Sequence, residues 1–244
     1  MVDEELIQRV RDLRTKGCSP KETARALGVP PARVAPLVRL IAEQAEASAP
    51  VPAIVGCWVS AGWSVGLTVD EGRGWTDSPE HGTNVTGLVG VLVAREAARK
   101  RDISVCGYLV DPYCLGVKDA LGPRLMKPHE LSRFVGMFFA AFDGEPLDAP
   151  IELARELVSG AVDYANRLGF EPARDFGAAQ GALGAFDGQR TIGFGRDGMP
   201  CYVQGPYDDA EAIMMRLDES VGVDNFHFLV ECPVDATSLV SSTG

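Results

Sequence analysis

The sequence has no uninterrupted apolar run long enough to cross a bilayer. Its longest apolar stretches, such as Phe134 to Phe142, fall well short of the roughly 20 residues that a spanning helix needs. It also lacks any C-x-x-C pair, so neither a zinc ribbon nor a thioredoxin-like redox centre is expected from its six cysteines, Cys18, Cys57, Cys106, Cys114, Cys201 and Cys232. Scattered mostly among Val, Tyr and Trp, they are expected to be reduced, buried thiols. Histidine is scarce: His81, His129 and His227 show neither H-x-x-H nor H-x-x-x-H spacing, so no metal and no cofactor is expected. Met1-Val2-Asp3-Glu4-Glu5 lacks the basic and apolar regions of a secretory signal, and a soluble, cytoplasmic protein is the expectation.

What is present is an ordinary globular composition, 46% hydrophobic and 23% charged over 244 residues, with room for a small domain and a medium one. The net charge of −11 is unevenly spread. Residues 1 to 47 carry eight Lys or Arg against seven acids, so almost all of the negative excess falls on the remainder. A polyanion is repelled by a surface of that sign, which confines any expected nucleic-acid contact to the first 47 residues.

Leu6, Ile7, Val10 and Leu13 recur at helical spacing up to Gly17 and predict a first helix. Ser19-Pro20-Lys21-Glu22 has the N-cap, first-turn proline and glutamate of a capping box, predicting a second helix that runs to Leu27 and stops at Gly28. Val34, Leu37, Val38 and Ile41 predict a third, with Pro36 an awkward interior residue. These are assigned to a domain at residues 1–46. A small-residue, proline-interrupted linker follows at 47–53, then an acidic domain at 54–234 and a frayed tail at 235–244.

The larger domain is expected to be α+β with a mixed sheet, strand directions being undetermined. Strands are predicted at residues 54–59, 63–69, 86–93, 103–110, 191–194, 201–204 and 226–230, with a turn joining the 191–194 and 201–204 pair. Helices are predicted at 131–142, 151–168 and 210–218, the last with Asp208 and Glu211 at capping-box spacing. Residues 70–86 read as loop and 94–102 as a helical turn or a long hairpin connection.

Between Pro20 and Arg39, Ala24 is a small residue in the middle of one helix, Gly28 stands four positions later, and Val29, Val34 and Leu37 follow in register. This segment resembles the helix-turn-helix superfamily, particularly the three-helix kind of bacterial regulators and recombinase-type proteins. The resemblance implies DNA binding, with the third helix in the major groove and basic residues on phosphates. By position the candidates are Lys21, Arg25, Arg33 and Arg39. The sequence departs from the pattern at Thr23, where an apolar residue is usual. It departs again where Pro31, Ala32, Ala35 and Pro36 take the place of polar base-readers.

Two catalytic-looking motifs fit poorly in context. Gly62-Trp63-Ser64-Val65-Gly66 matches G-x-S-x-G, but too few strands precede it for the turn of an α/β-hydrolase. Gly193-Phe194-Gly195-Arg196-Asp197-Gly198 matches G-x-G-x-x-G, but no helix opens after it, and Asp197-Gly198 reads as a hairpin turn. The most unusual segment, Tyr108 to Asp119, resembles, with Leu168 to Pro172 and Gly193 to Gly198, stretches of a bacterial protein family that has no established activity. Asp111 closes an apolar strand there with Lys118 and Asp119 nearby. These three are the weak candidates for a catalytic or ligand site, against a simpler reading of Asp111 as a turn cap. The leading expectation is a DNA-binding transcriptional regulator whose acidic domain senses a small-molecule ligand, forms a homodimer or docks a partner. The alternatives are an enzyme built around Asp111 and Lys118, and a pure interaction protein.

Overall fold

A computed structural model describes residues 4–48, 52–78, 87–97, 101–186 and 188–229, with side chains up to residue 41 in the first stretch. The chain divides into two compact units, Met1–Val51 and Pro52–Gly244.

The N-terminal unit has three helices: α1 (Glu4–Thr15), α2 (Pro20–Leu27) and α3 (Pro31–Ser48). The start of α2 is fixed by a complete capping box. The Ser19 hydroxyl accepts from Glu22 N at 3.3 Å, and the Glu22 carboxylate accepts from Ser19 N at 2.7 Å. Gly28 ends the helix in the left-handed region (φ 66°), its N–H donating back to the Ala24 and Arg25 carbonyls. One residue from each helix, Val10, Ala24 and Val34, is fully or almost fully buried, with Leu27, Leu37 and Ile41 packed around them. Burying each of the two valines contributes about 1.5–3 kcal/mol, and the bare methyl of Ala24 lets the helices meet closely. Thr23 is buried as well, because its hydroxyl donates to the Ser19 carbonyl at 2.9 Å and so carries no unsatisfied polar group inward. The linker expected from residue 47 begins later: α3 continues through Ser48, since the run Ala42 to Ala47 consists of Ala, Glu and Gln, all strong helix formers.

The second unit is α+β, and its main sheet is antiparallel throughout, not mixed. It contains β1 (Ile54–Val59), β3 (Val89–Glu96), β4 (Ile103–Asp111), β5 (Gly116–Met126) and β6 (Leu147–Asp148), in the order β5-β4-β3-β1-β6. In β3 the alternation sends Val89, Val91 and Val93 to one face and Leu92 and Ala94 to the other, and all five are buried. Both faces are covered. Helix α5 (Ile151–Arg167) packs Leu153, Ala154, Leu157 and Ala161 on the first, and α4 (Leu131–Phe139) packs Phe134, Val135 and Phe139 on the second. Two small two-stranded sheets complete the unit. β2 (Thr68–Val69) pairs with β7 (Ile192–Gly193), and β8 (Cys201–Val203) pairs in parallel with β9 (His227–Leu229). Short α6 (Phe176–Ala179) packs on the same face of the sheet as α5, and α7 (Ala210–Val221) packs near the end of the sheet where β4 turns into β5.

Several expectations are corrected here. Residues 63–69 are not one strand: Gly62 and Gly66 adopt positive φ and coil Ala61–Gly66 into turns, leaving Thr68 and Val69 alone extended. The segments 191–194 and 201–204 are not hairpin partners, since β7 and β8 belong to different sheets. Asp197 (φ 54°) and Gly198 (φ 85°) do make a tight turn, closed only by an Arg196–Met199 bridge. Helix α7 is capped by Asp209, which accepts from Ala212 N at 3.1 Å, because Asp208 is engaged elsewhere. β3 extends to Glu96, so Arg95 is a strand residue and not part of a helical turn. The expectations for residues 79–86, for Cys232 and for the tail at 235–244 lie outside the described residues.

Candidate functional site

In the N-terminal unit, Lys21, Arg25, Arg33 and Arg39 are all exposed, and none of them forms an ion pair among the described residues. Their neighbours on α1 behave differently. Arg9 pairs with Glu5 at 3.5 Å and Arg14 donates to the Cys18 carbonyl at 2.6 Å. Lys21 and Arg25 stand four residues apart on one face of α2. On α3 the exposed Ala32, Ala35, Pro36 and Arg39 fall on one outward face, with Arg33 to one side of it. The one acid of α2, Glu22, is held against Ser19, whose backbone N–H and then hydroxyl keep its carboxyl below the usual range and therefore charged.

The second unit gathers three glycine-containing turn segments at one end of the sheet. These are Ala61–Gly66, Asp111–Gly116 and Gly193–Met199, the same segments that carry the catalytic-looking motifs. Tyr113 is the joint. Its hydroxyl donates to the Val65 carbonyl, its carbonyl accepts from Cys201 N at 3.2 Å, and its ring lies against Gly66 and Gly87. A Cβ on Gly87 would sit 2.4 Å from that ring, at a φ of +67° that side chains rarely adopt. Gly195 N donates to the Pro112 carbonyl at 3.0 Å and Asp197 N to the Gly66 carbonyl at 2.8 Å.

Inside this junction Asp111 is buried, and its Oδ1 accepts from Tyr113 N at 2.9 Å and Cys114 N at 3.0 Å. Burial raises its pKa to about 6, against the opposing pull of those amides and of Lys118. Lys118 does not reach Asp111. Its ammonium pairs with Asp208, at 2.7 and 2.9 Å to the two oxygens, and Asp208 also accepts from Gly205 N at 2.8 Å. Asp119 is exposed and caps the adjacent Ala120 N at 2.9 Å. The three weak catalytic candidates are therefore in three separate environments, and Asp111 is a turn cap.

The G-x-S-x-G serine is likewise committed. Ser64 Oγ donates to Asp77 at 2.6 Å, and Asp77 also accepts from Gly62 N and Ser64 N, so the carboxylate holds the turn closed, and among the described residues, which do not include His81, no histidine stands against the hydroxyl. In the glycine motif Arg196 and Asp197 line a groove of about 430 Å³ with Met199, Cys201, Phe226 and His227. Burial pushes the Cys201 thiol up while the adjacent Arg196 guanidinium pulls it down. Cys57 and Cys106 are pushed by burial to about 12 and about 11, so both remain thiols at neutral pH. The five described cysteines are free. Among the described residues no group of three His, Cys, Asp or Glu is placed to hold a metal, and no helix is long and apolar enough to cross a membrane.

Two buried charges gave no signal in the sequence. Glu156 on α5 is fully buried, and its carboxylate accepts from Thr191 N, Ile192 N (2.7 Å) and the Thr191 hydroxyl (3.1 Å), fastening β7 to the helix. Arg95 is buried among the carbonyls of Pro52, Ala182 and Leu183. Their partners are mostly backbone groups distant in sequence, which no spacing rule reveals. No family model matches the chain, and no match to it was found among curated proteins or solved structures.

Proposed function

We propose that the N-terminal unit is a helix-turn-helix module that binds DNA, and that the chain is a transcriptional regulator whose second unit serves sensing, dimerisation or docking. The observation that carries this reading is the set of four exposed cations, Lys21, Arg25, Arg33 and Arg39, none of them ion-paired among the described residues, on α2 and α3 of a trihelical core that meets at Ala24. Such cations pay no cost of breaking an internal ion pair when they meet phosphate. The outward face of α3 offers small residues, Ala32, Ala35 and Pro36, which admit close approach but present no side-chain donors or acceptors to base edges. Contacts are thus chiefly to phosphate, with weak sequence discrimination and steep salt dependence.

The test is a fluorescence-anisotropy titration of a duplex with the full chain and with the K21A/R25A/R33A/R39A variant. If all four cations neutralise phosphates, the log–log salt slope for the wild type is about −3 to −4 per chain. The variant should lose most of that slope and bind at least about tenfold more weakly at 0.1 M salt. Equal binding by the two proteins would remove the N-terminal unit from consideration.

A further inference from the structure

The far end of the sheet, where Ile103 pairs with Met126, carries a groove of about 520 Å³ between β5 and α4. Its lining holds two arginines, Arg124 and Arg133, and one carboxylate, Glu130, which accepts from Lys127 N at 2.7 Å, in a unit that is otherwise strongly acidic. Arg124 lies over the Phe134 ring at 5.1 Å, Arg133 makes no ion pair among the described residues, and His129 stands beside them. Beside the two arginines are two large apolar side chains that are exposed, Leu125 at 57% and Met137 at 61%. At Pro123 this edge has no N–H to offer an added strand, which favours docking through side chains. His129, Arg133 and Met137 recur every four residues along one line, which suits a helix laid alongside.

The chain itself displays the complement. On α7 the face opposite buried Leu217 presents Glu211, Met215 (59% exposed) and Asp218, at helical positions i, i+4 and i+7. Arg216 is turned away against Gly169 and pairs with Glu219 at 3.7 Å. Glu211 precedes Met215 by the same four residues that separate Arg133 from Met137, about 6 Å along either axis. Methionine can therefore meet methionine while carboxylate meets guanidinium. Helix α7 packs near the Asp111 end of the sheet and α4 lies toward the other end, so α7 does not reach the groove of its own chain.

We propose that the groove between β5 and α4 receives α7 of a second copy of this chain. One helix laid in one groove buries much less than the roughly 800 Å² per partner of a stable complex, and two reciprocal contacts about a two-fold axis double it. The pair is held by opposite charges around an apolar centre, so it weakens as salt rises. It is independent of DNA binding, and the K21A/R25A/R33A/R39A variant should pair as the wild type does.

Sedimentation of the full chain tests this at about 10 and about 100 μM in low salt. The expected result is a species of twice the monomer mass for the wild type. R124E/R133E alone and E211R/D218R alone should be monomeric. An equimolar mixture of those two variants restores opposite charge at both contacts and should recover the two-chain species, which also shows that each variant is folded. A monomeric wild type at about 100 μM, an unchanged mass in either charge-reversed variant, or a mixture that stays monomeric would overturn the proposal. So would loss of duplex binding in R124E/R133E with no change in mass.

Discussion

Among the described residues of the N-terminal unit the buried ones are Val10, Thr23, Ala24 and Val34, and its cations stand in solvent. The second unit places Arg95, Asp111 and Glu156 inside. The difference follows from what the backbone can do for itself. Helices satisfy most of their own amides, so α1 to α3 need only a few apolar contacts and two well-chosen ends. The second unit joins its sheet to strands two or three residues long and to loops whose amides have no regular partner. A buried carboxylate or guanidinium with two or three backbone partners fixes each of those loops in place. The cations of α2 and α3 stand in solvent without an ion pair among the described residues, whereas the buried charges of the second unit are used up internally.

The sharpest way to break this contrast is Glu156→Ala. It strips acceptors from Thr191 N and Ile192 N and leaves the Arg73 guanidinium, 3.5 Å away, without its carboxylate. A loss of about 3–5 kcal/mol is expected. All three tryptophans belong to the second unit, so intrinsic fluorescence during urea unfolding of the full chain isolates the effect.

Asp111→Ala comes next, at about 2–3 kcal/mol for two buried amides left without an acceptor. Asp111→Asn keeps that acceptor and changes the pH profile. The folded chain holds the Asp111 proton up to about pH 6, while the unfolded chain releases it near 3.8. Ionisation of Asp111 therefore lowers stability progressively as pH rises from 4 to 6, by up to about 3 kcal/mol. The slope contributed by this group should vanish in the Asn variant, and a profile identical to wild type between pH 4 and 6 would show that burial does not govern this carboxyl.

In the N-terminal unit the expected effects are smaller and of a different kind. Pro36→Ala restores an N–H inside α3 and should stabilise that unit by about 1–3 kcal/mol. The unit contains no Phe, Tyr or Trp, so the gain appears at 222 nm and not in tryptophan emission. Removing Lys21, Arg25, Arg33 and Arg39 together should change stability by less than about 0.5 kcal/mol. A larger loss would mean that these cations are structural, and would erase the contrast.

The same distinction explains which features could be read from the sequence. The capping box at Ser19, the stop at Gly28 and the long apolar face of Ile151 to Leu168 are local, and each lies where the residue pattern places it. β5 escaped because Gly116, Lys118, Asp119, Gly122 and Pro123 interrupt any alternation, and its pairing with β4 shifts register twice. The capping role of Asp209 was misread by one position, since the pairing of Asp208 with Lys118 is set 90 residues away. Asp111 was legible as a turn residue but not as a buried one. The convergence of three turn segments on Tyr113 has no local signature at all.

Pro36 has a consequence for motion as well as for stability. The Ala32 carbonyl, which would accept from residue 36 in an unbroken helix, has no such N–H to receive. The first turn of α3 is thus tied to the remainder by one bond fewer than any later turn, and it opens at lower cost. Amide hydrogens there should exchange with solvent sooner than those of Val38 to Ile41. The start of α3 can consequently adjust its path on meeting a surface while Val34 stays anchored in the core, so the proposed docking by this helix would involve local yielding as well as rigid contact.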